Sequence, residues 1–393
     1  MIAFFVKPSR CNTNIVENKQ VTVSLLPQCL IAAVLIVPAF LYSQTNSGFD
    51  VNLRVDYSSA EQLIDLCEGK LFNVNAVAES RGSQLAAATS ALLARKQVSS
   101  ETFRRELELV RNKSGSSDDV FGFAPMLSHL SEIKALLNES KKRELDRRVV
   151  ATVEQFFPSD ARISTSLTVY IVAFGHENAA AFVRRVVWNG NTPTFVGENE
   201  GEPIIVVNLA RLVNSTPSTE VQFIETLSTL AHEAFHAVFA VYQSTSPVWK
   251  ELNAKKAPYW PLAELVQNEG IACRISFQER TGGTLPPSVF SSAKDAIPKL
   301  NGAMLEMASP NISGLRAREL LMDANLSGTF ERNYGAAAGL LMAFAIDSKM
   351  GRNALTETIS KGVGDFFQKY DALTKQYDEL PKLSQEVLGE VTR

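Results

Sequence analysis

Cysteine and histidine are scarce in this 393-residue chain, with four of each. Cys11 and Cys29 fall in the N-terminal segment, so at most one disulfide, between Cys67 and Cys273, is open to the remainder; two buried thiols are the alternative. The chain has no long basic block and no aromatic-rich basic stripe. Its formal net charge of -3 comes from well-mixed charges, so nucleic acid is not expected as a partner. Neither an internal repeat nor a low-complexity tract is present. With 45% hydrophobic and 21% charged residues, the composition is that of an ordinary globular protein, neither disordered nor fibrous. The apolar stretch near the N-terminus, Cys29 to Tyr42, also falls short of a membrane span: it has 14 residues and contains Pro38, against the roughly 20 that a spanning helix needs.

What is present begins with a targeting signal. Lys7, Arg10 and Lys19 precede that apolar stretch, which ends in Ser43-Gln44-Thr45, and this order predicts a signal peptide over residues 1–43, cleaved near Ser43. An uncleaved anchor is the alternative, and only then is a membrane a partner. Pro27 and Gln28 stand where small residues would precede a lipidated cysteine, which argues against a lipid on Cys29. The expected location is secreted, periplasmic or otherwise in a bacterial envelope.

From Tyr57 to Pro158 the pattern is helical. Leu63, Ile64 and Cys67 recur at three to four residues, Leu85 to Leu93 is rich in Ala and Leu, and Phe103, Leu107 and Val110 form another stripe. The period changes at Ile163. Ser164 to Phe174 and Pro203 to Leu209 are β-branched runs that read as strands, while Phe182 to Trp188 fits either strand or helix. Thr216 or Ser218 supplies a cap and Pro217 a first helical position for a helix from Val221 to about Tyr242, which contains no Gly or Pro. Further helices are expected over Leu262–Arg280, Val289–Met307, Arg316–Leu326, Tyr334–Lys349 and Ala354–Tyr370. The order of helices, small sheet, helices predicts an α+β fold, mostly helical. Its expected parts are a helical region over 44–160, a sheet with its helix over 161–245 and a second helical region over 246–393.

The chemistry lies in His232-Glu233-Ala234-Phe235-His236. Residues four apart on a helix sit one turn above each other, so two imidazoles project from one face at a separation that one Zn²⁺ can bridge. Glu233, about 100° further round, suits a general base acting on a water that the metal activates. Leu227, Leu230, Ala231, Ala234, Phe235, Val238, Phe239 and Val241 make the helix apolar around much of its girth, and buried imidazoles beside a carboxylate are costly unless paired or metal-bound. A catalytic zinc takes three protein ligands and keeps one position open. His129 and His176 are the remaining histidines. Glu269, in Asn268-Glu269-Gly270-Ile271-Ala272 on the next helix, fits the third place better, and Gly270 would let that helix approach closely. Glu264, the competitor, reads as a solvated acid in the first turn after Pro261.

These two motifs resemble the gluzincin metallopeptidases, the thermolysin-like group whose third ligand is a Glu on a later helix. More narrowly, the chain is similar to a bacterial family of proposed zinc-dependent peptidases. That likeness also draws on Asp56-Tyr57-Ser58-Ser59-Ala60, Tyr334-Gly335, Gly351 and Phe366-Phe367-Gln368-Lys369-Tyr370. The resemblance implies a zincin-like sheet and active-site helix, with His232, His236 and Glu269 as zinc ligands and Glu233 as base. The chain departs from the thermolysin pattern at Cys273, where an Asp would buttress a histidine, so another group must orient the imidazoles. Tyr334 is the candidate donor to the oxyanion, with aromatic packing at a helix start as its alternative; Arg274 and Tyr259 are further candidates. The expectation is a monomeric zinc peptidase acting on a peptide or protein substrate. A zinc hydrolase of another amide or ester and a non-catalytic zinc protein of the envelope are the competing readings.

Overall fold

The computed structural model describes residues 48–114, 118–176, 180–197, 200–214, 218–254, 257–325 and 329–392. The expected signal segment lies outside them, as do Thr216 and Pro217. Among the described residues, 66% are helical and five strands form one mixed sheet, an α+β fold as the sequence predicts.

Strand β1 (Phe49–Asp56) opens the chain, followed by α1 (Ser58–Cys67), α2 (Val74–Glu79), α3 (Arg81–Ala94), α4 (Ser100–Arg111), α5 (Phe123–Ser128), α6 (Leu130–Lys142) and α7 (Leu145–Glu154). The rest of the sheet is β2 (Ile163–Val172), β3 (Ala181–Asn189), β4 (Thr192–Phe195) and β5 (Glu202–Asn208). Helices α8 (Leu209–Val213), α9 (Thr219–Thr245), α10 (Pro247–Ala254) and α11 (Trp260–Thr281) come next. The C-terminal part holds α12 (Pro287–Ala308), α13 (Gly314–Asn325), α14 (Tyr334–Met350), α15 (Arg352–Lys361), α16 (Val363–Thr374) and α17 (Gln385–Val391).

The strand order is β1-β2-β5-β3-β4. β1 runs parallel to β2 with Leu53 opposite Leu167, and β2 parallel to β5 with Val169 opposite Ile205. β3 is antiparallel to both β5 and β4, with Phe182 opposite Val206 and Val186 opposite Phe195. The segment that fitted either period is thus strand β3. β1 extends the sheet into the region read as purely helical, and only Leu53 of its eight residues is fully buried.

Helix α9 starts where Ser218 Oγ accepts the Val221 amide at 3.3 Å, with Glu220 in the first turn where the helix dipole favours an acid. With neither Gly nor Pro inside, it runs 27 residues and packs against β2, β3 and β5 as well as α11. Pro261 stands in the first turn of α11, and Gly282 ends it at φ 62°, a left-handed value that costs glycine little. α11 then crosses α14, so sheet, α9, α11 and α14 are successive layers around one core. The single helix expected over Ala354–Tyr370 is two, because Gly362 at φ 89° turns the chain between α15 and α16.

Candidate metal centre

His232 and His236 lie one turn apart on α9, with Nε2 atoms 3.0 Å apart and rings nearly perpendicular at 86°. Aromatic packing on the same helix fixes its rotation. Phe235 meets Phe157 at 5.4 Å between ring centroids, and Phe239 meets Trp249 edge-on at 5.2 Å, each pair worth about 0.5–1.5 kcal/mol beyond its burial. Trp249 is itself tied by its indole N–H to the Ile359 carbonyl at 2.7 Å. α9 cannot roll without breaking this cluster.

Glu269 arrives from α11, next to Gly270. A β-carbon at Gly270 would fall 2.4 Å from the backbone of Gly339 on α14, so the glycine pair permits the close helix crossing beside the site. Glu269 Oε2 stands 3.5 Å from His232 Nε2, and its Oε1 3.5 Å from His236 Nε2. The ligating atoms of all three residues lie within 4.8 Å of one another.

The outer nitrogens are engaged. Asn268 Oδ1 is 2.8 Å from His236 Nδ1 and can only accept, so the proton sits on Nδ1 and the Nε2 lone pair faces inward. Ser276 Oγ lies 3.4 Å from His232 Nδ1 and 3.3 Å from the Ala272 carbonyl; its hydroxyl can donate to the carbonyl while its oxygen faces the imidazole. Ser276 therefore occupies the orienting place left open by Cys273, three residues further along α11. Two imidazole lone pairs and a carboxylate facing one another repel unless a cation lies between them. Imidazoles with one carboxylate suit zinc, and three protein ligands are the number found where a fourth position serves catalysis. The residues fit the ion that the sequence implies.

Glu233 is 1% exposed, and its Oε2 has no hydrogen-bond partner among the described residues. Burial pushes its carboxyl up to about 7; His236 opposes the rise, Glu269 adds to it, and the Arg184 guanidinium on β3 opposes it. Burial alone would raise Glu269 as well, but the two imidazoles and Asn325 outweigh it and hold that carboxyl below its ordinary value.

Other candidates are placed elsewhere. Glu264 accepts a bond from Gln243 Nε2 at 2.7 Å and is not in the cluster. His129 sits 3.6 Å from Glu132, and the His176 amide is bound to Ser90 Oγ, so neither histidine joins the three. The Tyr334 hydroxyl donates to the Leu320 carbonyl at 2.8 Å with its ring buried, which is the packing alternative and not the geometry of a waiting oxyanion donor. Tyr259 donates to the Glu390 carbonyl, and Arg274 is paired with Asp347 at 2.7 Å. Cys67 on α1 and Cys273 on α11 are both buried thiols outside any disulfide. Ser276, Arg184 and Asn325 are site neighbours that the sequence reading did not name. Only Ser276 carried a signal, seven residues or two helical turns beyond Glu269.

No curated protein and no solved structure matches the chain. A family model with the description "Putative zinc dependent peptidase (DUF5700)" matches residues 74–379. The match begins with α2 and takes in β2 to β5, α9, α11, α13 and α14, hence every residue of the cluster; the Asp56–Ala60 opening lies before it. Extending over more than three-quarters of the chain and enclosing a two-histidine, one-carboxylate group, the match shows that the chain belongs to the family so described.

Proposed function

We propose that the protein is a gluzincin-like metallopeptidase, with His232, His236 and Glu269 holding zinc and Glu233 as general base. The observation that carries this reading is the convergence of three ligating atoms within 4.8 Å beside a buried carboxylate lacking a partner among the described residues. Zinc, when bound, supplies Lewis-acid polarisation of a carbonyl and a lowered pKa for water. The chain supplies the rest. Asn268 and Ser276 keep the imidazoles in the tautomer that presents Nε2, and Glu269 contributes the negative charge that retains a dication. Glu233, one residue round the helix from His232, takes a proton from the attacking water and passes it to the amine nitrogen as the peptide bond breaks. Side-chain exposures of 12%, 11% and 9% for the three ligands describe a site screened from bulk water yet within reach of its surface. We further read the protein as exported by its N-terminal signal and active as a monomer on peptides.

The test is zinc quantitation on purified protein, followed by cleavage of a peptide library with and without chelator. The expected result is stoichiometric zinc and hydrolysis that chelation abolishes. Glu233→Gln is expected to retain zinc and to lose hydrolysis by at least about 100-fold; survival of the wild-type rate would overturn the role of Glu233. Stoichiometric zinc without cleavage of any peptide would favour the non-catalytic reading.

A further inference from the structure

Glu269 receives a bond from outside both zinc motifs. Asn325, the last residue of α13, donates from Nδ2 to Glu269 Oε1 at 2.7 Å across 56 residues of sequence. We propose that Asn325 is a positioning residue for the metal centre: by holding Oε1 it fixes the plane of the Glu269 carboxylate against the two imidazoles. The inference rests on the zinc reading above and adds the element that completes it.

A glutamate reaching into a metal site has rotatable bonds to spare, and a buried carboxylate that can turn offers the ion a dispersed target. An amide N–H on one oxygen removes that freedom. Asn is suited to the task because it is neutral: a lysine or arginine here would also hold the carboxylate, but would neutralise the charge that a dication needs. The other oxygen, Oε2, faces His232 Nε2 at 3.5 Å.

Asn325 can do this only if α13 is itself held, and two contacts with α14 hold it. Tyr334 Oη donates to the Leu320 carbonyl at 2.8 Å. Ala324, the residue before Asn325, seats its methyl and carbonyl where a β-carbon on Gly335 would fall, at 2.8 and 3.1 Å from that point. The hydroxyl of Tyr334 thus acts on the centre at two removes, through the helix that ends in Asn325.

The test compares purified wild-type protein with Asn325→Leu, which keeps the branching at Cγ and removes the donor. Zinc affinity is measured by competition with a chromophoric chelator at one pH, and ligand geometry by the d–d absorption of the cobalt-substituted protein. Asn325→Leu is expected to lose about tenfold to a hundredfold in zinc affinity and to change the cobalt spectrum, a signature that a change in fold stability alone does not produce. If that variant does not fold, Asn325→Ala, which only removes atoms, carries the same expectation. Zinc affinity within about twofold of wild type with an unchanged cobalt spectrum would overturn the role of Asn325 and leave the metal centre standing. Failure of the wild-type protein to bind zinc would overturn both.

Discussion

Helices α11 and α13 both reach Glu269, yet they are built in opposite ways. α11 is buried around nearly its whole girth from Leu262 to Phe277 and carries the carboxylate itself. α13 buries only Leu320 and Ala324, leaves Leu315 and Met322 69% and 50% exposed, and carries only the amide that touches that carboxylate. The proposed ligands therefore sit on elements whose positions are over-determined by packing, while the bond to Glu269 from outside α9 and α11 comes from an element with few anchors. Damage to the two should separate: faults at the α11–α14 crossing unfold the protein, whereas faults in α13 reach metal binding first.

The sharpest way to break that contrast is at Gly339. A β-carbon there would stand 2.0 Å from the Val266 carbonyl oxygen and 2.9 Å from Gly270 Cα, and backbone atoms have no rotamer with which to yield. Gly339→Val is expected to destabilise by more than about 3 kcal/mol, or to leave no soluble protein. Gly302, inside α12 with nothing near its missing side chain, is the control: Gly302→Ala should be neutral or should stabilise by up to about 1 kcal/mol through helix propensity. Denaturant unfolding of the two variants decides it, and a Gly339→Val protein with a wild-type midpoint would mean that the two helices do not cross this closely.

A smaller effect tests whether the α9 side of the site is as tightly enclosed as α11. In chelator-treated protein, the carboxyl of Glu233 lies near 7 when folded and at the ordinary glutamate value when unfolded. Between those two values the folded state binds the extra proton, so its stability falls as pH rises, by at most about 3 kcal/mol over the window. Glu233→Gln should remove this slope, and adding zinc should weaken it, because a nearby dication favours the carboxylate. Urea titrations at several pH values, wild type against Glu233→Gln, provide the measurement; identical pH slopes would mean that Glu233 is solvated.

How far each part was legible beforehand follows the same division. α9 was readable because its signals are local: Ser218 at the start, no Gly or Pro inside, and two histidines one turn apart. Glu269 was readable because its neighbours share its helix. β1 was legible but not read: Phe49, Val51, Leu53 and Val55 alternate with Asp50, Asn52 and Arg54 at the period of a half-buried edge strand, yet its partner β2 lies over 100 residues on, beyond a run of helices. β4 has only four residues and includes Pro193, and the break at Gly362 hides inside a run that otherwise keeps helical character. Tyr334 was singled out for its hydroxyl, but the partner of that hydroxyl is a backbone carbonyl on α13, set by packing that no local pattern discloses. Asn325 is the same case: its bond spans 56 residues and exists only because α13 lies on α14.

The smallest predicted effect is the one that defines α13. Its exposed apolar residues contribute little burial, so Met322→Gln should alter stability by no more than about 0.5 kcal/mol and leave zinc affinity unchanged. Leu320, 5% exposed, is the anchor from the same helix, and Leu320→Ala should cost about 2–4 kcal/mol, while its backbone carbonyl can still accept from Tyr334. If Met322→Gln costs as much as Leu320→Ala, the outer face of α13 is covered in solution, and the helix is no longer the lightly held element that the contrast with α11 requires.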